Sequence, residues 1–246
     1  MNGTAIRDVV AATLLFSVIL QIAPVVGWAA PITVPSDLNV GDKYRLAFVT
    51  SATRDATSPL IADYNDFVTA VANGVPELAA LGTTWSAVAS TPGVDAFDNT
   101  DTDPFADSGV PIYRLDDIRI ANDNSDLWDG SILAPLSKPE VGQLLENMIV
   151  WTGTSTAGTG LFALSDVTPL VGDSSSTSAT WINEAASGSN TDVHHLYGIS
   201  GELTVVPEPI TIWLACIGIL ALAGWRVALG GVLMRSPNDP TSASCK

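Results

Sequence analysis

The segment Lys43-Tyr44-Arg45-Leu46-Ala47-Phe48-Val49-Thr50 alternates side-chain polarity closely enough to predict a β-strand. A turn-rich loop follows it over residues 51–58. From Ile61 onward, apolar residues recur at helical spacing, and Gly74 ends the pattern. This part of the chain therefore begins with a strand and continues with an amphipathic helix.

Beyond that helix, short apolar segments alternate with long loops rich in glycine, serine and aspartate. A second amphipathic piece is predicted over residues 76–81, and polar loops are predicted over 122–126 and 174–178. Short strands are predicted over residues 84–90, 110–115, 118–120, 149–152, 179–182 and 196–205. Early helices followed by short strands predict an α+β fold, and loops of this length are unusual unless they bind something or wrap a core.

The C-terminal segment differs in composition from this body. Val206-Pro207-Glu208-Pro209 contains two residues that lack a backbone donor, so no helix or central strand continues through it. Residues 210–225 are then free of charge and are closed by Arg226. At about 1.5 Å per residue they form roughly 24 Å of helix, which the apolar residues 227–234 extend towards a ~30 Å hydrocarbon core. A transmembrane helix is therefore predicted.

The order of Pro207-Glu208-Pro209, apolar helix, Arg226 and chain end resembles the PEP-CTERM sorting signal of bacterial exported proteins, over about residues 205–235. In that family the tripeptide is recognised by a membrane protease-transferase of the exosortase type. The resemblance implies anchoring in the inner membrane, cleavage near the tripeptide, and transfer of the body to the envelope or an extracellular polysaccharide matrix. The tail after Arg226, about 20 residues, is longer than is usual in the family. An ordinary stop-transfer anchor is the alternative.

The N-terminal segment, residues 1–30, has one base, Arg7, and an apolar run over residues 9–26. Gly27 and Ala29 fit an A-x-A-like cleavage site, which predicts a secretory signal peptide. The apolar run is also long enough to remain as an uncleaved anchor. Either way an exported body over residues 31–205 is predicted, followed by the sorting segment 206–235 and a polar tail 236–246.

The body is strongly acidic and contains no cysteine. Residues 31–209 include 24 acidic and six basic side chains, a net charge of −18. Such a body repels phosphate, so nucleic acid is excluded as a partner and anionic lipid is disfavoured. Cations, neutral glycans and other proteins remain. Without disulfides, the exported domain must depend on the packing of its core.

Scattered landmarks of the body resemble, in their order, the endostatin-like branch of the C-type lectin-like fold, over roughly residues 44–205. They are the first strand, the helix from Asp63, Gly109-Val110-Pro111-Ile112, Trp128-Asp129-Gly130-Ser131, Val150-Trp151-Thr152-Gly153, Trp181 and the closing hydrophobic strand. The resemblance implies a C-type lectin-like domain. The disulfides, zinc ligands and basic heparin face of that family have no counterpart here. Because the fold often uses long loops to bind sugars, a membrane-anchored, calcium-dependent carbohydrate-binding module is the alternative function.

The densest acidic cluster, residues 95–103, predicts a Ca²⁺ site, because Ca²⁺ takes about six to eight oxygen ligands from flexible loops. Its candidate ligands are Asp95, Asp98, Asp101 and Asp103. The EF-hand pattern is not met, since Pro104 follows the last aspartate, and a solvated acidic loop is the alternative. Residues 122–126 with Asp129 have the same two interpretations.

No motif indicates an enzyme. His194-His195 are adjacent, so their side chains diverge, and no cysteine or third histidine assists them, which argues against zinc. G-x-S-x-G, P-loop and zincin motifs are absent. The four tryptophans of the body lie among apolar neighbours, which favours core packing over sugar stacking. They are Trp85, Trp128, Trp151 and Trp181. The sequence predicts a non-enzymatic exported protein with Ca²⁺ as its one candidate cofactor.

Overall fold

The computed structural model describes residues 31–143, 147–186 and 188–206. The predicted signal peptide, the sorting residues Pro207, Glu208, Pro209 and Arg226, and the polar tail lie outside the described residues. Within these described ranges, no helix combines the length and apolar character needed to cross a membrane. The compact body ends at Val205.

The body combines short helices with a curled sheet, so the predicted α+β class is confirmed. The helices are α1 (Ile61–Asn73), α2 (Pro76–Ala79), α3 (Ala96–Thr100), α4 (Asn124–Leu127) and a 3₁₀ turn (Ala179–Trp181). The strands are β1 (Lys43–Val49), β2 (Trp85–Ala87), β3 (Ile112–Arg114), β4 (Arg119–Ala121), β5 (Ile149–Trp151), β6 (Leu170–Asp173), β7 (Ala185–Ala186), β8 (His195–Ser200) and β9 (Leu203–Thr204).

The nine strands of the described residues form one mixed sheet with β1 and β8 at its centre. The order is β4-β3-β1-β8-β5-β6-β7, with β2 paired to β8 and β9 paired to β1. Strand β1 lies antiparallel to β8, with Ala47 opposite Ile199, and parallel to β3, with Arg45 opposite Ile112. The first predicted strand is thus the element on which β3, β8 and β9 assemble.

Strand β1 is buried on both faces, because a core lies on each side of the sheet. Tyr44, Leu46 and Phe48 point into one core, while Ala47 and Val49 point into the other, as the two-residue period of a strand requires. Helix α1 covers the first core with its buried residues, which are Tyr64, Val68 and Ala72. The predicted helix at this position is confirmed.

The four tryptophans of the body are buried, which confirms their predicted packing role. None is more than 6% exposed. Trp85 and Trp151 belong to the first core, and Trp128 and Trp181 belong to the second, where their ring centroids are 6.2 Å apart. Because aromatic rings bury large areas, they stabilise this disulfide-free body from both sides of the sheet.

Several local predictions were wrong. Residues 122–126, predicted as a loop, contribute to α4, because the carboxylate of Asp123 accepts a hydrogen bond from the amide of Asp126 and caps the helix. The segment 179–182 forms a 3₁₀ turn instead of a strand. The predicted closing strand, residues 196–205, breaks at Gly201 into β8 and β9.

Candidate functional site

A polar cleft of about 360 Å³ opens where the closing strand breaks. Its wall combines the start of β1, strand β2, the C-terminal end of α3 and the bend between β8 and β9. The lining residues are Arg45, Thr84, Ser86, Asn99, Thr100, Asp101, Ser200, Gly201 and Glu202. Concave sites with several convergent polar groups are the usual places for small ligands, so this cleft is the candidate site.

Arg45 forms the base of the cleft and is only 4% exposed. Its Nη1 donates to the carbonyl oxygens of Thr100 and Ser200, both at 3.0 Å. Its Nη2 donates to the carbonyl oxygen of Asp101 at 2.9 Å. A helix leaves its last carbonyls without partners and carries partial negative charge at its C-terminus, so a guanidinium there is stabilising. One buried arginine thereby joins β1, α3 and the end of β8.

The guanidinium of Arg45 interacts mainly with carbonyl oxygens of the fold itself. Its Nε is shielded from solvent and has no hydrogen-bond partner among the residues that the structure describes. The carboxylate of Asp101 lies 3.4 Å from Nη2, but that side chain is 95% exposed, so the pair is weak. The arginine is therefore a structural cation with little capacity to attract an anionic ligand.

A pair of side-chain amides fixes the wall of the cleft beside α3. The Nδ2 of Asn99 donates to Oδ1 of Asn65 at 3.0 Å and to the carbonyl oxygen of Ala87 at 2.7 Å. In return, Nδ2 of Asn65 donates to Oδ1 of Asn99 at 2.8 Å. This exchange connects α1, α3 and β2, so the cleft wall is preorganised.

The groups left for a ligand are hydroxyls and carboxylates. Within the described part of the chain, the side-chain hydroxyls of Thr84 and Ser86 make no hydrogen bond. Asp101 reaches into solvent at one rim, and Glu202, which accepts from Lys43 at 2.8 Å, lies at the other. Such a cleft can exchange hydrogen bonds with a neutral polar molecule and repels anions. No histidine or cysteine is among its lining residues.

The predicted calcium ligands are not brought together by the fold. Asp95 lies before α3, and its Oδ1 accepts from the amide of Gly160 at 2.6 Å. Asp98 lies in the first turn of α3, Asp101 follows its last turn, and Asp103 accepts from the amide of Phe105. Among the residues with described positions, no group of three or more candidate ligands is arranged to hold a metal. Only Asp101 reaches the cleft, and calcium binding stays a prediction.

The second acidic cluster makes local hydrogen bonds. Asp123 caps α4, Asp126 accepts from the amide of Asn122, and Asp129 accepts from the amide and hydroxyl of Ser131. Short polar side chains commonly bond to nearby backbone in this way. The carboxylates of this cluster are thus used in local hydrogen bonds, and cation binding here stays a prediction.

The two adjacent histidines face different surroundings. The Nδ1 of His195, on β8, lies 2.6 Å from the carbonyl oxygen of Thr50. The ring of His194 lies against Trp151 with centroids 4.5 Å apart, and burial lowers the pKa of its imidazole. His195 is the first residue of β8, and His194 lies immediately before that strand, in a bridge to Arg54.

Of the residues that line the cleft, the sequence singled out only Asp101 as a candidate site residue. Arg45, Thr84, Ser86 and Glu202 appeared only as residues of predicted strands, with no role in a site. One signal was present: a cation inside a strand that is otherwise buried on both faces requires compensating oxygen atoms. The identity of those oxygens depends on segments more than 50 positions away.

No protein-family model matches the chain, and no curated protein is significantly similar to it. The fold and the site define a mixed α+β domain with a preorganised polar cleft. The interpretation of its function therefore depends on the sequence motifs and on the geometry of the body.

Proposed function

We propose that this chain is an exported protein whose body is delivered to the cell envelope, or to an extracellular polysaccharide matrix, by an exosortase-type protease-transferase. The body acts there as a non-enzymatic, C-type lectin-like surface domain. One observation carries the proposal: Pro207-Glu208-Pro209 directly precedes sixteen uncharged residues, which Arg226 closes. Before processing, this helix anchors the protein in the inner membrane.

The end of the body suits such a cleavage. The amide of Val205 donates to the carbonyl oxygen of Asp42 at 2.9 Å, and the amide of Gly41 donates to the carbonyl oxygen of Val205 at 2.8 Å. The folded body thus uses its chain up to two residues before Pro207. Cleavage near the tripeptide would separate the helix from the body and leave every strand in place.

Replacing the acidic residue of the motif tests this proposal. We expect Glu208→Gln to accumulate as the full-length form in the inner membrane, because the processing enzyme recognises the tripeptide. Glu77→Gln, at an exposed position on α2, is the matched control and is processed normally. Intact-mass spectrometry of envelope fractions measures both. A mature wild-type protein that retains residues 210–246 would exclude processing.

The cleft favours one second candidate, a carbohydrate-binding module. Its unpaired hydroxyls and rim carboxylates match the hydroxyl groups of a neutral sugar, and its acidic rim disfavours phosphorylated ligands. A glycan array probed in calcium should then give binding that Ser86→Ala weakens and that a chelator abolishes if Ca²⁺ participates. An array without signal in either condition would count against this candidate.

A further inference from the structure

A turn over residues 103–107 projects beside the polar cleft, because both ends of its loop are fastened to Arg45. The Nη2 of Arg45 donates to the carbonyl oxygen of Asp101 at 2.9 Å, and its main-chain amide donates to the carbonyl oxygen of Pro111, also at 2.9 Å. Arg45 and Asp101 both line the cleft. The loop therefore leaves the cleft wall and returns to the strand that supports it.

The turn displays the side chain of Phe105, which is 92% exposed. The amide of Phe105 donates to Oδ1 of Asp103 at 2.8 Å, and the amide of Ala106 donates to the carbonyl oxygen of Asp103 at 3.1 Å. These two hydrogen bonds fix the backbone that presents the ring. Because Phe105 follows Asp101 by four residues, their Cα atoms are at most about 14 Å apart.

The turn and the adjacent rim of the cleft are acidic. Residues 98–107 contain four aspartates and no lysine or arginine. The carboxylate of Asp101 is 95% exposed, and its ion-pair contact is long, at 3.4 Å. The pKa of Lys43 is raised, first by its hydrogen bond to Glu202 and less by the charge of Asp107, so this base lies near the turn but is already paired. Charges of one sign in a cleft concentrate ligands of the opposite sign, so a cation is favoured here.

The groups of this region match the parts of an amino sugar. The hydroxyls of Thr84 and Ser86, which line the cleft, can bond to sugar hydroxyls. The ring of Phe105 can pack against the apolar face of a pyranose, and the carboxylates of Asp101 and Asp107 can pair with protonated amines. A linear polyamine would leave the aromatic ring and the hydroxyls unused, and a neutral sugar would leave the charge of the rim uncompensated.

We propose that the cleft and the turn together bind a cationic amino-sugar chain, with its amines on the aspartates and one pyranose against Phe105. This inference rests on the carbohydrate-binding candidate, whose ligand class it names, and it is independent of the route by which the body is exported. A chain is required instead of a single sugar, because the ring stands apart from the cleft. Phe105 is then the residue that selects a sugar over other polycations.

Calorimetric titration of the full chain tests the proposal, in a non-ionic detergent without a sugar headgroup. Three probes are compared at about pH 6, where carboxylates are ionised. They are a glucosamine hexasaccharide, its fully N-acetylated counterpart, which is neutral, and hexalysine, which is a cation without a sugar. We expect the glucosamine oligomer to bind most tightly and to lose affinity as salt is added, because surface charges are screened.

Two variants remove the proposed contacts. Phe105→Ala should weaken binding of the glucosamine oligomer about fivefold and leave that of hexalysine unchanged, since it removes only the stacking surface. Asp101→Asn should weaken binding of both cations about threefold, the size expected for an exposed ion pair. Position 101 has a φ of +53°, a conformation that asparagine tolerates well, so this variant keeps the backbone of the loop.

The matched controls lie in a loop bonded to the segment that follows β1, whereas the cleft lies beside the first residues of that strand. The amide of Ser165, in this control loop, donates to the carbonyl oxygen of Ala56. Phe162, which is 53% exposed, and Asp166, which is also exposed, supply the same residue types there. Phe162→Ala and Asp166→Asn should leave the affinity for all three probes unchanged.

Each result decides the ligand class. If the N-acetylated oligomer binds as tightly as the glucosamine oligomer, the cationic class is overturned while the neutral-sugar candidate stands. If hexalysine binds as tightly, or if the control variants weaken binding as much as Phe105→Ala and Asp101→Asn, the acidic body attracts polycations without a sugar site and the proposal is overturned. If no probe binds, the carbohydrate candidate fails with it, while sorting to the envelope is unaffected. Circular dichroism verifies that each variant is folded.

Discussion

Arg45 shows how one buried side chain can hold distant segments together. Its guanidinium donates hydrogen bonds to the carbonyl oxygens of Thr100, Asp101 and Ser200. These carbonyls lie at the C-terminal ends of α3 and β8. The sequence could not reveal this role, because it requires two loops to converge on β1. The tryptophans, by contrast, were predictable, since burial follows from their size and apolar neighbours alone.

We expect Arg45→Met to lower the free energy of unfolding by about 3 kcal/mol, because it leaves three carbonyl oxygens without their charged donor. Lys43→Met, on the same strand, removes an exposed ion pair with Glu202 and should have a much smaller effect on the free energy of unfolding. Urea denaturation measures both. Equal effects of the two substitutions would show that Arg45 does not fix the cleft.

The helices and strands of the body were predictable where a periodic pattern of apolar residues extends over many positions. Strand β1 and helix α1 extend over enough residues for a pattern to appear, whereas α3 and α4 have five and four residues. Both short helices lie in runs of aspartate and asparagine, which also favour turns, so their sequences predicted loops. The candidate calcium residues fail to converge because α3 separates Asp95 from Asp103.

A substitution in the turn that follows β5 tests how neighbouring loops pack against each other. Gly153 has a φ of +58°, and a methyl group there would meet the amide nitrogen of Leu164 at 2.6 Å and the carbonyl oxygen of Ser90 at 2.7 Å. Both neighbours are backbone atoms, so neither can rotate away. We expect Gly153→Ala to cost about 2–4 kcal/mol of unfolding free energy, from strain and overpacking together.

The control for this turn is Gly93→Ala, where no described atom beyond the adjacent residues lies within 4 Å of the added group. That substitution should change stability by less than about 0.5 kcal/mol, as is usual for surface sites. Thermal unfolding of the two variants gives the comparison. If the Gly153→Ala variant unfolds at the same temperature as the wild type, the loops around residues 90 and 164 do not pack as described.

For the molecule as a whole, the central question is whether the body remains folded once the helix is removed. A domain without cysteine and with two tryptophan-containing cores should unfold at the same temperature with and without a reducing agent. Residues 31–206 should therefore form a stable unit. Because β9 pairs with the start of β1, residues 31–202 should be less stable by about 2–4 kcal/mol, since they lack the hydrogen bonds of β9 and the buried side chain of Val205. Chemical denaturation of the two fragments decides it: if the shorter one is equally stable, then β9 does not secure the body, and cleavage upstream of Val205 would release it equally well.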